Sequence, residues 1–521
     1  MPLDYRAGTA WPPAGMRKIY TLHDEYAAWY SGEQDRLMKV YGGGTLALPA
    51  VRTYPSQYRG GAVGAIARFW WGRPITPTQG TTKIHVPAAA DISALSADLL
   101  YSEPQSYALP ESAPARASGR LDSIIDRSEL GARLLESAEM SSFAGGCYLV
   151  AFVDQTIADV PLVAVYGHDV AVPEWRHGRL VAVTFWRQLT DSGERDGEVY
   201  RHLERHEVIG GAGFVFHGLY RGGADKLGMR VDLSKRPETA AFVGMVEPES
   251  GAVATGSTRL DVAYVPNVRP HRTIAGCPLG RSDYSSILPQ FDALDETWSS
   301  WMRDLRLAKA RIVVPASYIQ SGGPGKGGYF DAEQEVFTSV NMMGRDDQGM
   351  QLSQVQFAIR VDEHERTAAA LWRAITRGSG LSQDAFGEEA DGPAATAKEI
   401  GARGSRTRDT RARKIMYAKP AIAHIVSVLC ELDAVHFGGD GMPRGSMPIN
   451  VEWPAELPDL ESVARTVQLF DAASAVSLRT KIGMAHPRWG TSEIDAEIAE
   501  IDGDRSRSAP PPLPDPFARL D

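Results

Sequence analysis

The chain has 521 residues, enough for two to four domains, and its 43% hydrophobic and 23% charged residues mark it as globular. Its net charge is −10 with a pI of about 5.7, whereas a protein that grips nucleic acid through phosphates is basic in at least one domain. A repressor-like binder is thereby excluded, while a surface along which DNA slides without being held stays compatible. Cys147, Cys277 and Cys430 form no CxxC pair, which argues against a zinc site or disulfide framework and fits a reducing compartment. Met1 to Trp11 lacks the apolar core of a secretory signal, and no run of about 18 apolar residues marks a membrane span.

In chain order, Leu22 to Tyr41 reads as an amphipathic helix carrying Tyr26, Trp29, Tyr30, Leu37 and Tyr41. A Gly/Pro-punctuated stretch with Phe69-Trp70-Trp71 follows. A helix is predicted from about Asp91, its N-cap, with Ile92, Leu95 and Leu99 on one face, and another from Asp122 to Phe143. From Cys147 the period shortens. Cys147–Val153, Leu162–Tyr166, Leu180–Arg187, Glu198–Ile209, Gly213–Tyr220 and Asp261–Val268 are β-branched or aromatic runs between turn residues, as in an antiparallel meander.

Pro289 suits the first turn of a helix that runs to about Ala310, roughly 33 Å at 1.5 Å per residue. Its apolar residues Phe291, Leu294, Trp298, Trp301, Leu305 and Ala308 keep a 3-4 spacing, a narrow heptad-type seam. Residues 311–360 read as a small β-rich insert with strands at Arg311–Val314, near Val336 and at Gln354–Ile359. A second helix, Val361 to Arg377, carries Ala368, Leu371, Trp372 and Ile375. After a glycine-rich acidic loop, a long helix from Ala394 to His436 spans roughly 60 Å. Pro420 should bend it, and Ile415, Ala418, Ile422, Ile425, Leu429 and Leu432 form a second seam. A strand at Met447–Trp453 precedes helices near Leu460–Ala475, Leu478–Ala485 and Ser492–Ile501, with Ser477 and Thr491 as caps. Gly503–Asp521 reads as a tail.

No catalytic constellation emerges. The Ser321–Gly328 turn fails as a phosphate loop, because Gln320 stands where the first glycine is needed and Gly327 replaces the magnesium-holding Ser/Thr. His202 and His206 have HxxxH spacing without an HExxH pattern, and read as a solvated strand face with Glu204 and Glu207. Glu388, Glu389 and Asp391 have no rigid frame for a cation in their glycine-rich loop. Between Thr396 and Lys419 stand Lys398, Arg403, Arg406, Arg408, Arg411, Arg413, Lys414 and Lys419 against Glu399 and Asp409. On a helix they spread around the axis, which fits either packing among acidic neighbours or plain solvation.

The order of these parts resembles one family. Lys83 to Pro104 (KIHVPAAADISALSADLLYSEP) looks like the N-terminal region of portal proteins from siphophages of actinobacteria. Gly280 to Ile287 (GRSDYSSI) followed by Phe291 to Asp295 (FDALD) resembles the start of the portal stem helix. Ala395 to Ile400 (ATAKEI), after the acidic loop, resembles the tunnel loop and the long helix behind it. Pro458 to Glu461 (PDLE) and Ala475 to Arg479 (AVSLR) resemble the crown.

The resemblance implies an α+β portal fold. Its wing would be residues 1–280 and 396–455, its stem helices 281–310 and 361–378, its clip 311–360, its tunnel loop 379–395, its crown 456–502 and its mobile tail 503–521. It also implies a structural protein without ATPase, cofactor or metal, a dodecameric ring at one capsid vertex of the virion. That ring would be a channel for genome packaging and ejection, assembled in the host cytoplasm with scaffolding and major capsid proteins. Its other partners would be the terminase large subunit, a head-tail adaptor and double-stranded DNA passing weakly, with no membrane. The residues expected to face DNA are Gln383, Asp384, Glu388, Glu389 and Asp391 in the tunnel loop, with Lys398 and Arg403 nearby. Phe291, Leu294, Trp298, Trp301, Leu305 and Trp372 are expected at the stem interface. The alternatives are another phage head or adaptor protein, or an enzyme with an unrecognised site. The role of 223–258 stays open.

Overall fold

The β-branched runs after Cys147 build two antiparallel sheets. One has the strand order β1 (Thr9–Ala10), β9 (Lys226–Val231), β8 (Ala212–Gly223), β7 (Val199–Ile209), β6 (Arg179–Leu189) and β5 (Ala171–Arg176), with β10 (Ala252–Ala254) beside β9 on the outer edge of β8. The other places β3 (Gly146–Phe152) between β11 (Val262–Pro266) and β4 (Leu162–Tyr166). The computed structural model describes residues 3, 5–41, 83–189, 198–307, 360–387, 397–438, 442, 444–454, 460–473, 475–486 and 491–508, with strand segments at 311–313, 320–321, 328–329 and 353–355. Phe69-Trp70-Trp71 and Val336 therefore lie outside the described residues. The chain is mixed α and β and divides into two units, Met1–Glu452 and Trp453–Asp521.

Local chemistry explains most boundaries. At the β7–β8 turn, Gly210 and Gly211 have φ of 60° and 86°, the left-handed pair that a two-residue hairpin requires. The expected helix over Leu22–Tyr41 is two helices, α1 (Arg17–Ser31) and α2 (Gln34–Val40), because Gly32 ends the first in the left-handed conformation. Asp91 is not a cap. Helix α3 (Ala88–Tyr101) starts after Pro87 and holds Asp91 in its first turn, where a carboxylate favours the helix dipole. The expected helix over Asp122–Phe143 is also two, α4 (Ala115–Arg127) and α5 (Leu130–Ala144), broken where Glu129 turns left-handed with φ 53°. β2 (Ser106–Ala108), which the sequence did not signal, pairs with a later strand, Asn450–Glu452.

The histidine reading is corrected. His202 and His206 are buried, because β7 is central in its sheet and the chain from Leu233 to Asp261 folds over their face. A short 3-10 turn (Leu233–Lys235) and helix α6 (Pro237–Ala240) bring Phe242 onto the rings of His202 and His217, with centroids 5.3 and 4.2 Å away. His206 Nδ1 lies 2.9 Å from Asp261, and its Nε2 lies 3.0 Å from Glu204. Burial opposes its charge, but Asp261 and then Glu204 outweigh it and push its pKa up to about 10. Burial, joined by the charges of His217 and Arg187 against that of Glu204, pulls His202 down to about 4.

One core cluster joins Tyr26 and Trp29 of α1, Ile92 of α3, Tyr284, Ile287, Phe291, Leu294 and Ile375. Burying each such side chain contributes about 1.5–3 kcal/mol. Helix α9 (Ala397–His436) holds Pro420 inside its length without ending there. In its seam Ala418, Ile422, Ile425, Leu429 and Leu432 are buried, packed against β3, β11, α3 and α4. By length and composition Gly404–His436 could cross a membrane, but this packing makes it a core helix of the chain. The second unit contains α10 (Leu460–Ala472), α11 (Leu478–Ala485) and α12 (Thr491–Ser508). The Ser477 side chain caps α11 by accepting from the Thr480 amide. The residues assigned to a tail are helical to Ser508; those after it lie outside the described residues.

Candidate functional site

Helices α7 (Leu288–Leu307) and α8 (Val361–Ser379) form an antiparallel pair. Ile287 lies against Gly378 at one end. At the other, Asp304 lies 3.0 Å from His364 Nε2 and accepts from Arg360 at 3.2 Å. Those two bonds, His364 first, hold the Asp304 carboxyl below its ordinary range. Beyond the pair, β12 (Arg311–Val313) is laddered antiparallel to β15 (Ser353–Val355), so the strand after α7 and the strand before α8 are joined. Inside that module β13 (Gln320–Ser321) pairs with β14 (Gly328–Tyr329). The glycine-rich stretch thus has a paired strand on each side, whereas a phosphate loop runs from strand into helix.

The base of α7 is fastened to the segment at Lys83. Asp295 is buried, and it accepts from Tyr41 Oη at 2.6 Å and the Val86 amide at 2.8 Å, with His85 Nδ1 at 2.9 Å. Lys83 bridges Asp292 at 2.8 Å and Glu296 at 3.0 Å. Ahead of α7, Gly280–Asp283 docks on the α5–β3 corner, where a Cβ on Gly145 would stand 2.8 Å from the Gly280 carbonyl. Gly145 itself has φ 92°, so both space and backbone demand glycine there. Asp283 accepts from Lys414 at 2.5 Å, Ser142 at 2.7 Å and Asn267 at 2.8 Å. This buried ion pair ties α9 to the root of α7.

At that root opens a cleft of about 490 Å³, lined by Arg272, Arg281, Arg377, Arg406 and Arg413 and by the single carboxylate Asp283. Neither its arginines nor Asp283 belong to one element, so no local pattern announces the cleft. Arg406 and Arg413 were part of the basic run in the sequence; the other arginines carried no signal.

Of the residues expected at a stem interface, Phe291 and Leu294 are instead buried in the chain's own core, Phe291 against Trp29 (5.6 Å) and Tyr284 (5.4 Å). Trp372 meets Phe386 edge-on at 5.1 Å. Trp298 and Trp301 are half-buried with centroids 5.2 Å apart, Trp301 stacks on His364 at 6.0 Å, and Leu305 is 39% exposed. Gln383 and Asp384 lie in a 3-10 turn, Gln383–Phe386, held to α9 by Ser382 and Thr407. Glu388, Glu389 and Asp391 lie outside the described residues, and Lys398 and Arg403 are helical with side chains outside them. Among the described residues no group of three or more His, Cys, Asp or Glu could hold a metal ion.

No family model matches the sequence, and no curated protein matches it. Among solved structures, the chain is similar to one from the "Neck of empty GTA particle computed with C6 symmetry". The two are 15% identical, with 80% of this chain and 94% of that chain covered at a TM-score of 0.41.

Proposed function

We propose that this chain is a portal-type subunit, which closes into a ring at a capsid vertex and gives DNA a channel during packaging and ejection. What supports the reading is the order of parts around the helix pair. A mixed α and β body runs into α7, a small β module follows, α8 returns antiparallel, and a tight turn leads into a 40-residue helix. A chain that leaves its body along one helix and returns along another puts a module some 30 Å away, at 1.5 Å per residue, for a partner to meet. The half-buried Trp301 and the exposed Leu305 of α7 give the pair an apolar flank that the described residues cover in part. A heterologous contact repeated by rotation closes into a ring with an axial hole.

In this reading residues 281–310 and 361–378 are the stem, 311–360 the clip that meets the adaptor and the terminase, and 379–395 the loop facing DNA. Scaffolding and capsid proteins are the partners at the vertex. The acidic loop repels the duplex weakly, so that DNA passes without being held. The test is the mass of the purified protein by light scattering, with negative-stain images of the same fraction. A ring of about a dozen subunits with a central hole is expected, and a stable monomer or dimer at 100 micromolar order of concentration would count against it. Deleting Glu388–Asp391 should leave that ring intact while altering packaging or DNA retention.

A further inference from the structure

The arginine cleft carries five guanidinium groups against one carboxylate among the described residues. Among the described residues Arg272, Arg281, Arg377 and Arg413 form no ion pair, and Arg406 donates to a backbone oxygen, the Arg377 carbonyl, at 2.7 Å. Asp283, the lone carboxylate of the lining, is already held by Lys414, Ser142 and Asn267. Burial and then the charge of Arg272 lower the Arg281 pKa, with Arg413 acting in the same sense and Asp283 opposing. Like charges thus converge on a recess whose one described carboxylate, Asp283, is already engaged by Lys414. A guanidinium fork is the side chain best shaped to take a carboxylate or phosphate in two parallel hydrogen bonds.

We propose that this cleft is the receptor half of a contact between copies of this chain, receiving carboxylates from a second copy. The inference rests on the ring reading above. A ring contact is heterologous, so a basic cleft on one face calls for an acidic patch on another face of the same chain. The chain carries net charge −10, and among its exposed acids Asp91 and Asp98 lie seven residues apart on α3 while Asp384 lies in the turn after α8. None of the three has an ion pair among the described residues. The Oε1 atom of Gln290, in the cleft wall, is buried without a hydrogen-bond partner among the described residues. A peptide can supply the N–H that this atom lacks, whereas a phosphodiester offers acceptors only. The acidic surround also repels a duplex at long range.

The experiment compares the full-length chain with the triple variant Arg281→Gln, Arg377→Gln, Arg413→Gln by mass photometry between 50 and 500 mM salt. A control variant removes the same charge from exposed arginines elsewhere, Arg116→Gln, Arg176→Gln, Arg179→Gln. The ring fraction of the triple variant should fall at least tenfold at low salt, at an unchanged melting temperature, with the control matching wild type. Restoring lysine at the three positions should recover part of the ring, since charge returns without the fork. Rings of the triple variant equal to wild type at every salt concentration overturn the inference and leave the ring reading standing. Intact rings that lose binding to a fluorescent 30-base-pair duplex overturn it in favour of nucleic acid. A wild type that never forms rings overturns the ring reading, and this inference with it.

Discussion

Helices α7 and α9 carry the same three-four spacing of apolar residues, yet they use it differently. In α9 the seam from Ala418 to Leu432 is buried in its own chain, against β3, β11, α3 and α4. In α7 only the first half, Phe291 and Leu294, is buried; Trp298 and Trp301 are half-buried and Leu305 is exposed. The spacing states that a helix needs an apolar partner, not whether that partner is in the same chain. What separates the two is length against neighbours: three strands and two helices lie beside α9, whereas among the described residues the outer part of α7 packs on α8.

The sharpest way to break this comparison is to attack the anchor of α9. Lys414→Ala leaves Asp283 buried without its cation, and removing one partner of a buried pair costs about 3–5 kcal/mol. Denaturant unfolding should show that loss in the monomer; a change under about 1 kcal/mol would mean the pair is hydrated and α9 is not fastened there. Next, Ile425→Ala, at a fully buried site, should cost about 2–5 kcal/mol. Leu305→Ala, at an exposed site of α7, should stay within about 0.5 kcal/mol. Equal losses at the two positions would erase the distinction drawn between the seams.

A third region sharpens the contrast, because its polar groups are as buried as the α9 seam is apolar. His206 is held with a raised pKa of about 10, so its contribution is complete below the unfolded value of 6.5 and is lost as pH rises toward 10. His202 is held near 4, so stability falls as pH drops from 6.5 toward 4. Unfolding free energy should therefore peak near neutrality, and His206→Gln should flatten the alkaline limb. It should also weaken the strongly acid one, because Glu204 loses the partner that holds its pKa at about 2. An alkaline slope identical in the variant would show that His206 is not the group responsible.

How legible all this was depends on distance along the chain. Strands β3, β4, β6, β7, β8 and β11 and helices α7, α8, α9 and α11 could be read within a few residues, because alternation, proline position and capping are local signals, whereas β5, β9 and β10 were not read. Leu162–Tyr166 and Leu478–Ala485 match to the residue. The breaks at Gly32 and Glu129 were missed because an apolar period can continue across a single left-handed residue. The face of His202 and His206 was misjudged for the opposite reason. What covers it lies far along the chain: Phe242 in a stretch with no pattern of its own, and Asp261 immediately before a strand whose pairing is non-local. The arginine cleft is less legible still, since Arg272, Arg377 and Arg413 meet only after three elements pack.

A modest effect on the isolated chain is expected at the position that matters most for the α7 flank. Trp301 is half-buried and stacks on His364, so Trp301→Ala should cost the monomer about 1 kcal/mol, near the centre of ordinary point mutations and well short of a fully buried tryptophan. If that flank is completed by a neighbouring copy, the same truncation is repeated at every interface of a closed ring. Ring yield should then fall steeply while the denaturation midpoint of the monomer barely moves. A variant that loses both in proportion would put Trp301 with Phe291 as a residue of its own core. One that loses neither would leave the pair of helices sufficient to themselves.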